Sequence, residues 1–110
     1  MKTNVTDFAE HLESFFTDYL GSELGASKHT VRSYRDTFIL LIDYMSDVQG
    51  VSVDKLSMAN LSREVILSFL NWLQDNKNNN VSTRNQRYAA IRSFYEFLER
   101  KDPTRLATWQ

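Results

Sequence analysis

Apolar residues recur at steps of three and four in four separate segments, each opened by a polar residue able to cap a helix. That spacing places them on one helical face and does not suit the alternation of a half-buried strand. From Asp7 to about Leu24 the stripe is Phe8, Leu12, Phe15, Phe16, Tyr19 and Leu20. Asp7 and Glu10 fit a capping box, and Gly25 fits a C-terminal stop, with Gly21 an earlier alternative. Ser27 opens a second helix to about Val48 on Val31, Tyr34, Phe38, Leu41, Ile42 and Met45, closed by Gly50. Val51, Val53, Leu56, Met58 and Leu61 lack helical spacing and predict a packed connection. Ser62 opens a third helix, with Leu61 and Ile66 as a hydrophobic staple and Ile66, Phe69, Leu70 and Leu73 facing inward. Asn76 to Asn80, all asparagine apart from Lys77, is a loop. Ser82 then caps a fourth helix to about Lys101 on Tyr88, Ile91, Phe94, Tyr95 and Leu98, and Asp102 with Pro103 suits the start of a fifth. The expected fold is all-α, a compact bundle of four main helices with the start of a fifth at the C-terminus. A chain of 110 residues is enough for one such core and too short for two.

Several classes of function find no support. Without cysteine there are neither disulfides nor thiolate metal sites, and a reducing, cytoplasmic setting is expected. His11 and His29 stand apart from each other and from any cluster, so neither a metal nor another cofactor is expected. The longest apolar run, Phe38 to Ile42, is far shorter than the roughly twenty residues of a membrane span, and the N-terminus lacks a signal-peptide core. There is no glycine-rich phosphate loop, no clustered carboxylate pair and no nucleophile with a base at a recognisable spacing, so no catalytic residue is expected in this chain.

Charge is distributed in blocks that the overall net charge of -1 conceals. Residues 1–26 carry -4, residues 27–35 carry +3, residues 36–76 carry -4 and residues 77–95 carry +4. Both basic blocks begin helices, where the macrodipole disfavours cations by a few tenths of a kcal/mol each. Free backbone N–H groups at a helix start, joined by Lys or Arg, form a site for phosphate oxygens. Lys28, Arg32 and Arg35 line one flank of the second helix, while Arg84 and Arg87 fall on the side of Ile91 and Tyr95 in the fourth. Unpaired guanidinium groups do not enter an apolar core, so that end of the fourth helix should reach solvent or a ligand. Asn85 and Gln86 carry amides suited to adenine edges, Arg84 or Arg87 suits guanine, and Thr30, Ser33, Ser82 and Thr83 suit phosphate. The two basic helix beginnings are expected to converge into one electropositive surface for duplex DNA.

The stretch "STRNQRYAAIRSFYEFLER" resembles the last main helix of the SAM-like core-binding domain of tyrosine recombinases, the phage integrase family. "ASKHTVRSYRDTFILLIDYM" is similar to that domain's second helix, "LSREVILSFLNWL" to its third and "FAEHLESFFTDYL" to its first, in the same order along residues 5 to 105. Tyr88 departs from the pattern, where leucine is frequent. The resemblance implies a domain at residues 1–105 that clamps duplex DNA, with 106–110 starting a linker to a catalytic domain absent from this chain. The parent would be a site-specific recombinase or integrase of a mobile element that breaks and rejoins DNA. Its DNA-facing positions map onto Lys28, His29, Thr30, Arg32, Ser33 and Arg35, then Lys77, Thr83, Arg84, Asn85, Gln86, Arg87 and Arg92. Arg92 also has Glu96 four residues on, an ordinary helix-surface pair. Tyr19, Tyr34, Tyr88 and Tyr95 fall on apolar stripes and are expected in the core. Tyr44 lies off its stripe and is expected at a partly exposed position, and Trp72 and Trp109 are expected to pack. The resemblance also implies that other protomers of the recombinase are partners in an assembled complex and that the isolated domain is a monomer. Two alternatives use the same basic faces: a helical module that binds an acidic protein partner, and a small dimeric helix-turn-helix regulator.

Overall fold

A computed structural model describes residues 6–76 and 80–101, and there the protein is all-α, with no strand. Its main helices are α1 (Asp7–Ser14), α2 (Lys28–Asp47), α3 (Arg63–Asn76) and α4 (Val81–Lys101). The chain divides into two units, Met1–Asn60 and Leu61–Gln110. Asp102, Pro103, Trp109 and the expected fifth element lie outside the described residues, as does Lys77.

In the first unit, α1 is capped one residue before the expected position. Thr6 takes the extended cap conformation and its Oγ1 accepts from the Ala9 N–H at 3.2 Å. Asp7 is thereby released from capping, and its Oδ1 accepts from the N–H of Phe8 at 2.7 Å and of Met58 at 2.9 Å. The second bond ties the start of α1 to the 3₁₀ turn Met58–Asn60. The expected single helix to Leu24 changes character at Phe15, continuing as a π-helical segment over Phe15–Glu23. It runs past Gly21 and ends at Gly25, whose φ of +58° is the left-handed conformation that glycine adopts without strain.

Aromatic packing accompanies the wider turn. Phe15 and Phe16 are neighbours in sequence, and both set their rings edge-on to Phe38 of α2, at 6.1 and 6.0 Å. Phe15 also stacks on Tyr19 and Tyr34, at 5.7 and 6.4 Å, and is fully buried. From α2 the core receives Phe38, Leu41 and Met45 as expected, while Val31, Tyr34 and Ile42 are only half-buried. Thr37 is buried as well, its hydroxyl donating to the Ser33 carbonyl at 3.2 Å. Tyr44 corrects the expectation of partial exposure: it is buried, and its hydroxyl accepts from Gln49 Nε2 at 2.8 Å. The connection after Gly50 (φ +75°) is packed through Leu56 and Met58, whereas Val53 is exposed.

In the second unit, Ser62 caps α3 as expected, accepting from the Val65 N–H at 3.2 Å, and Leu61, Ile66, Phe69, Leu70 and Leu73 are buried. Trp72 is half-buried. α4 packs along α3, burying Ala90, Ile91, Phe94, Phe97 and Leu98. Here Asn80 is the cap in place of Ser82: its Oδ1 accepts from the Thr83 N–H at 2.8 Å and its carbonyl from the Arg84 N–H at 2.9 Å. Tyr88 is a second correction, being 47% exposed while Phe97 occupies the core. Tyr95 donates its hydroxyl to the Leu61 carbonyl at 2.9 Å, joining the middle of α4 to the start of α3.

Two stability predictions follow from these contacts. Asn80→Ala should lower the unfolding free energy by about 1 kcal/mol, the usual worth of a helix cap, while Ser82→Ala changes it little. Paired urea titrations of the two variants check the assignment. Burial pushes the Tyr95 phenol up from 10.0 to about 12. A raised folded-state value means that the neutral phenol's contribution is whole below pH 10 and is lost as pH climbs from there toward 12, by about 2–3 kcal/mol. Tyr95→Phe should be about 1 kcal/mol less stable at neutral pH and should lack this alkaline loss. The difference in urea midpoint between wild type and Tyr95→Phe, followed from pH 9 to 12, reads it directly.

Candidate nucleic-acid interface

Helices α2 and α4 begin differently from α1 and α3. Phe8 is buried in the first turn of α1, and Ile66 in the first turn of α3. In α2 the first buried residue is Thr37, and in α4, among the side chains described, it is Ala90. Each therefore runs more than two turns before its first fully buried residue, although Tyr34 of α2 is half-buried and stacks on Phe15. The charge pattern divides in the same way: the first turns of α1 and α3 contain acids, Asp7 with Glu10 and Glu64, whereas those of α2 and α4 contain none.

At the start of α2, Gly25 turns the chain and Ser27 caps it, its Oγ accepting from the Thr30 N–H at 3.1 Å and donating to Thr30 Oγ1 at 3.1 Å. The N–H groups of Lys28 and His29 are left without an intrahelical acceptor, as at any helix start. Lys28, His29, Arg32 and Arg35 are exposed, and Thr30 and Ser33 are half-buried. Residues 28, 32 and 35 stack on one flank by their spacing. With Ala26 and Val31, these three cations line a shallow open depression of about 310 Å³. No hydrogen bond or ion pair among the described residues engages Lys28, Arg32 or Arg35.

The cations of α4 are held more closely. Arg84 is half-buried and its Nη2 donates to Asn71 Oδ1 of α3 at 3.4 Å. Arg87, nearer the centre of the packed face, is also half-buried, as is Thr83. Asn85 and Gln86 are exposed, so their amides are accessible. Arg92 makes the pair anticipated from spacing, Nε to Glu96 Oε2 at 3.3 Å, between two well-exposed side chains. Such a pair contributes a few tenths of a kcal/mol and opens readily. Tyr88 stands one turn from both Arg84 and Arg92 on the same flank, which explains its exposure: the stripe assignment placed it some 60° nearer the core than the helix does.

Asn71 was not among the residues singled out from sequence. The Tyr95–Leu61 and Arg84–Asn71 contacts show that α3 and α4 run antiparallel, which brings Asn71 near the end of α3 opposite Arg84 near the start of α4. Among the described residues no group of three or more His, Asp or Glu side chains is placed to hold a metal ion, and no helix is long and apolar enough to cross a membrane.

Comparison with known proteins adds a lineage to this geometry. Residues 12–102 match the profile of the phage integrase N-terminal SAM-like domain. The chain is 38% identical over 92 residues to a protein of Sinorhizobium fredii named integrase/recombinase y4rD, an overlap covering 84% of this chain and 33% of that protein. A second Sinorhizobium fredii protein, integrase/recombinase y4rC, is 32% identical over 108 residues, 98% of this chain and 32% of the relative. The tyrosine recombinase XerC of Herpetosiphon aurantiacus is 33% identical over 90 residues, 82% of this chain and 27% of the relative. The chain thus spans a third or less of the length of these curated relatives. No solved structure matches it.

Proposed function

The chain belongs to the phage integrase N-terminal SAM-like domain family, and from that membership we propose that it grips duplex DNA through the beginnings of α2 and α4 for a tyrosine recombinase. The observation that carries this reading is the pairing of charge with burial. The two helices whose first turns hold no acid are also the two that, among the side chains described, reach their first fully buried residue only at Thr37 and Ala90. Cations set against the helix dipole, exposed on α2 and half-buried on α4, gain favourable energy from a bound anion.

Within this reading the residues divide by role. Lys28, Arg32 and Arg35, with the N–H groups of Lys28 and His29, engage phosphate, and Thr30 and Ser33 supply nearby hydroxyls. On α4, Arg84, Arg87 and Arg92 add charge and Thr83 contributes a hydroxyl, and Lys77, outside the described residues, is a further cation of the proposed set. Asn85 and Gln86 present exposed amides to base edges in the major groove. Residues 1–105 form the gripping domain and 106–110 lead toward a catalytic domain, a division consistent with relatives three or more times as long. The chain's own share of recombination is to bind and orient DNA, and bond breaking falls to the remainder of the parent enzyme. Other protomers of that enzyme are its partners on DNA.

If roughly five to seven phosphates are contacted, log affinity falls against log salt with a slope of about -5 to -6. Arg32→Ala should weaken binding to every duplex and flatten that slope by about one. An unchanged slope, with affinity retained, removes Arg32 from the interface, and binding to an acidic peptide in place of duplex DNA removes the whole reading. Asn85→Ala and Gln86→Ala should behave oppositely, leaving the slope nearly intact while altering which sequences are enriched from a random duplex pool, with a loss of about 1–3 kcal/mol at the affected base pair.

A further inference from the structure

Long basic side chains on a helix ordinarily carry their charged ends out to water. Arg84 departs from this. Its Nε is buried without a hydrogen-bond partner among the described residues, while Nη2 reaches across to Asn71 Oδ1 on α3 at 3.4 Å. That distance is long for an N–H···O bond, so the contact orients the guanidinium more than it restrains it. Asn71 is exposed and uncharged. The contrast is Arg92, whose partner Glu96 is a carboxylate. A carboxylate offsets the positive charge that would attract phosphate, whereas an amide oxygen sets the plane of the fork and leaves its charge whole.

We infer that Asn71 is a positioning residue for Arg84, biasing the guanidinium toward α3 in the orientation in which it meets DNA. This inference rests on the DNA-binding reading above. Arginine carries considerable side-chain freedom, and a fork already oriented along α3 loses less of it on binding. Asn71 acts through Arg84 and need not touch DNA itself.

A double-mutant cycle on the 110-residue chain tests this, with Asn71→Ala, Arg84→Ala and the double variant titrated against a short duplex over a salt series. Unchanged urea midpoints confirm folding, and the isosteric Asn71→Asp serves as an independent variant. Asn71→Ala should weaken binding about three- to tenfold with the salt slope kept, because the charge of Arg84 remains. Arg84→Ala should reduce the slope by about one, and in that background Asn71→Ala should cost nothing further. Asn71→Asp, which pairs with the guanidinium, should reduce the slope as Arg84→Ala does. An equal loss from Asn71→Ala with and without Arg84 overturns the inference, since Asn71 would then touch DNA directly, and so does no loss at all. If Arg84→Ala has no effect while Arg32→Ala weakens binding, the positioning role falls and the DNA-binding reading stands. If wild type itself binds no duplex, both fall.

Discussion

Backbone N–H groups at a helix start must find acceptors, and in this protein all four main helices find a neutral one, in Thr6, Ser27, Ser62 and Asn80, so that the acids of the first turn are what set the helices apart. Where a helix begins beside buried side chains, acids share the first turn, as with Asp7 and Glu10 in α1 and Glu64 in α3, and the dipole is complemented. In α2 and α4 no acid follows the cap, which is the Ser27 hydroxyl in α2 and the Asn80 amide oxygen in α4. Aspartate would cap equally well, but it would set a negative charge beside Lys28 or Arg84. A neutral cap satisfies the third N–H of the helix and leaves the local potential positive. The same economy recurs at Asn71, where a neutral oxygen meets Arg84.

The first unit is organised around Phe15, which is fully buried and has Phe16, Tyr19, Tyr34 and Phe38 as ring neighbours. Phe15 and Phe16, neighbours in sequence, both meet Phe38 where the helix takes its wider π turn. Ring contacts of this kind are worth about 0.5–1.5 kcal/mol each beyond area burial. This packing anchors α2 through Tyr34 and Phe38, and so fixes the direction in which the exposed Lys28, Arg32 and Arg35 are carried.

Much of this was legible in the residues, and the failures share a cause. Periodicity located all four helices, and the two left-handed glycines, Gly25 and Gly50, stand where helices were expected to stop. Single-residue choices among adjacent candidates were less readable. Thr6 and Asp7 both cap well, as do Asn80 and Ser82, and which one serves depends on where the preceding chain enters. The carboxylate of Asp7 was claimed by Met58, a contact across 51 residues that no local pattern encodes. Tyr88 and Phe97 exchanged expected places because a stripe read from four or five residues leaves its own edge uncertain by half a position. Tyr44 and Thr37 are buried because each satisfies its hydroxyl locally, through Gln49 and the Ser33 carbonyl. For the candidate interface, composition and charge named the residues, while Asn71 needed the hairpin geometry to be noticed.

Helix length is the remaining clue to purpose. α4 starts nine residues ahead of Ala90, about 13 Å of helix at 1.5 Å per residue, and α2 has the same lead before Thr37. Isolated helical stretches this short are marginal in water, and partial packing supports them here: Tyr34 stacks on Phe15 in the first unit, and Arg84 and Arg87 are half-buried in the second. They extend helices anchored further along, with a cap closing the free end. A rigid rod carrying cations at fixed intervals presents them to a regularly spaced polyanion with little further ordering, which a loop of the same composition could not do.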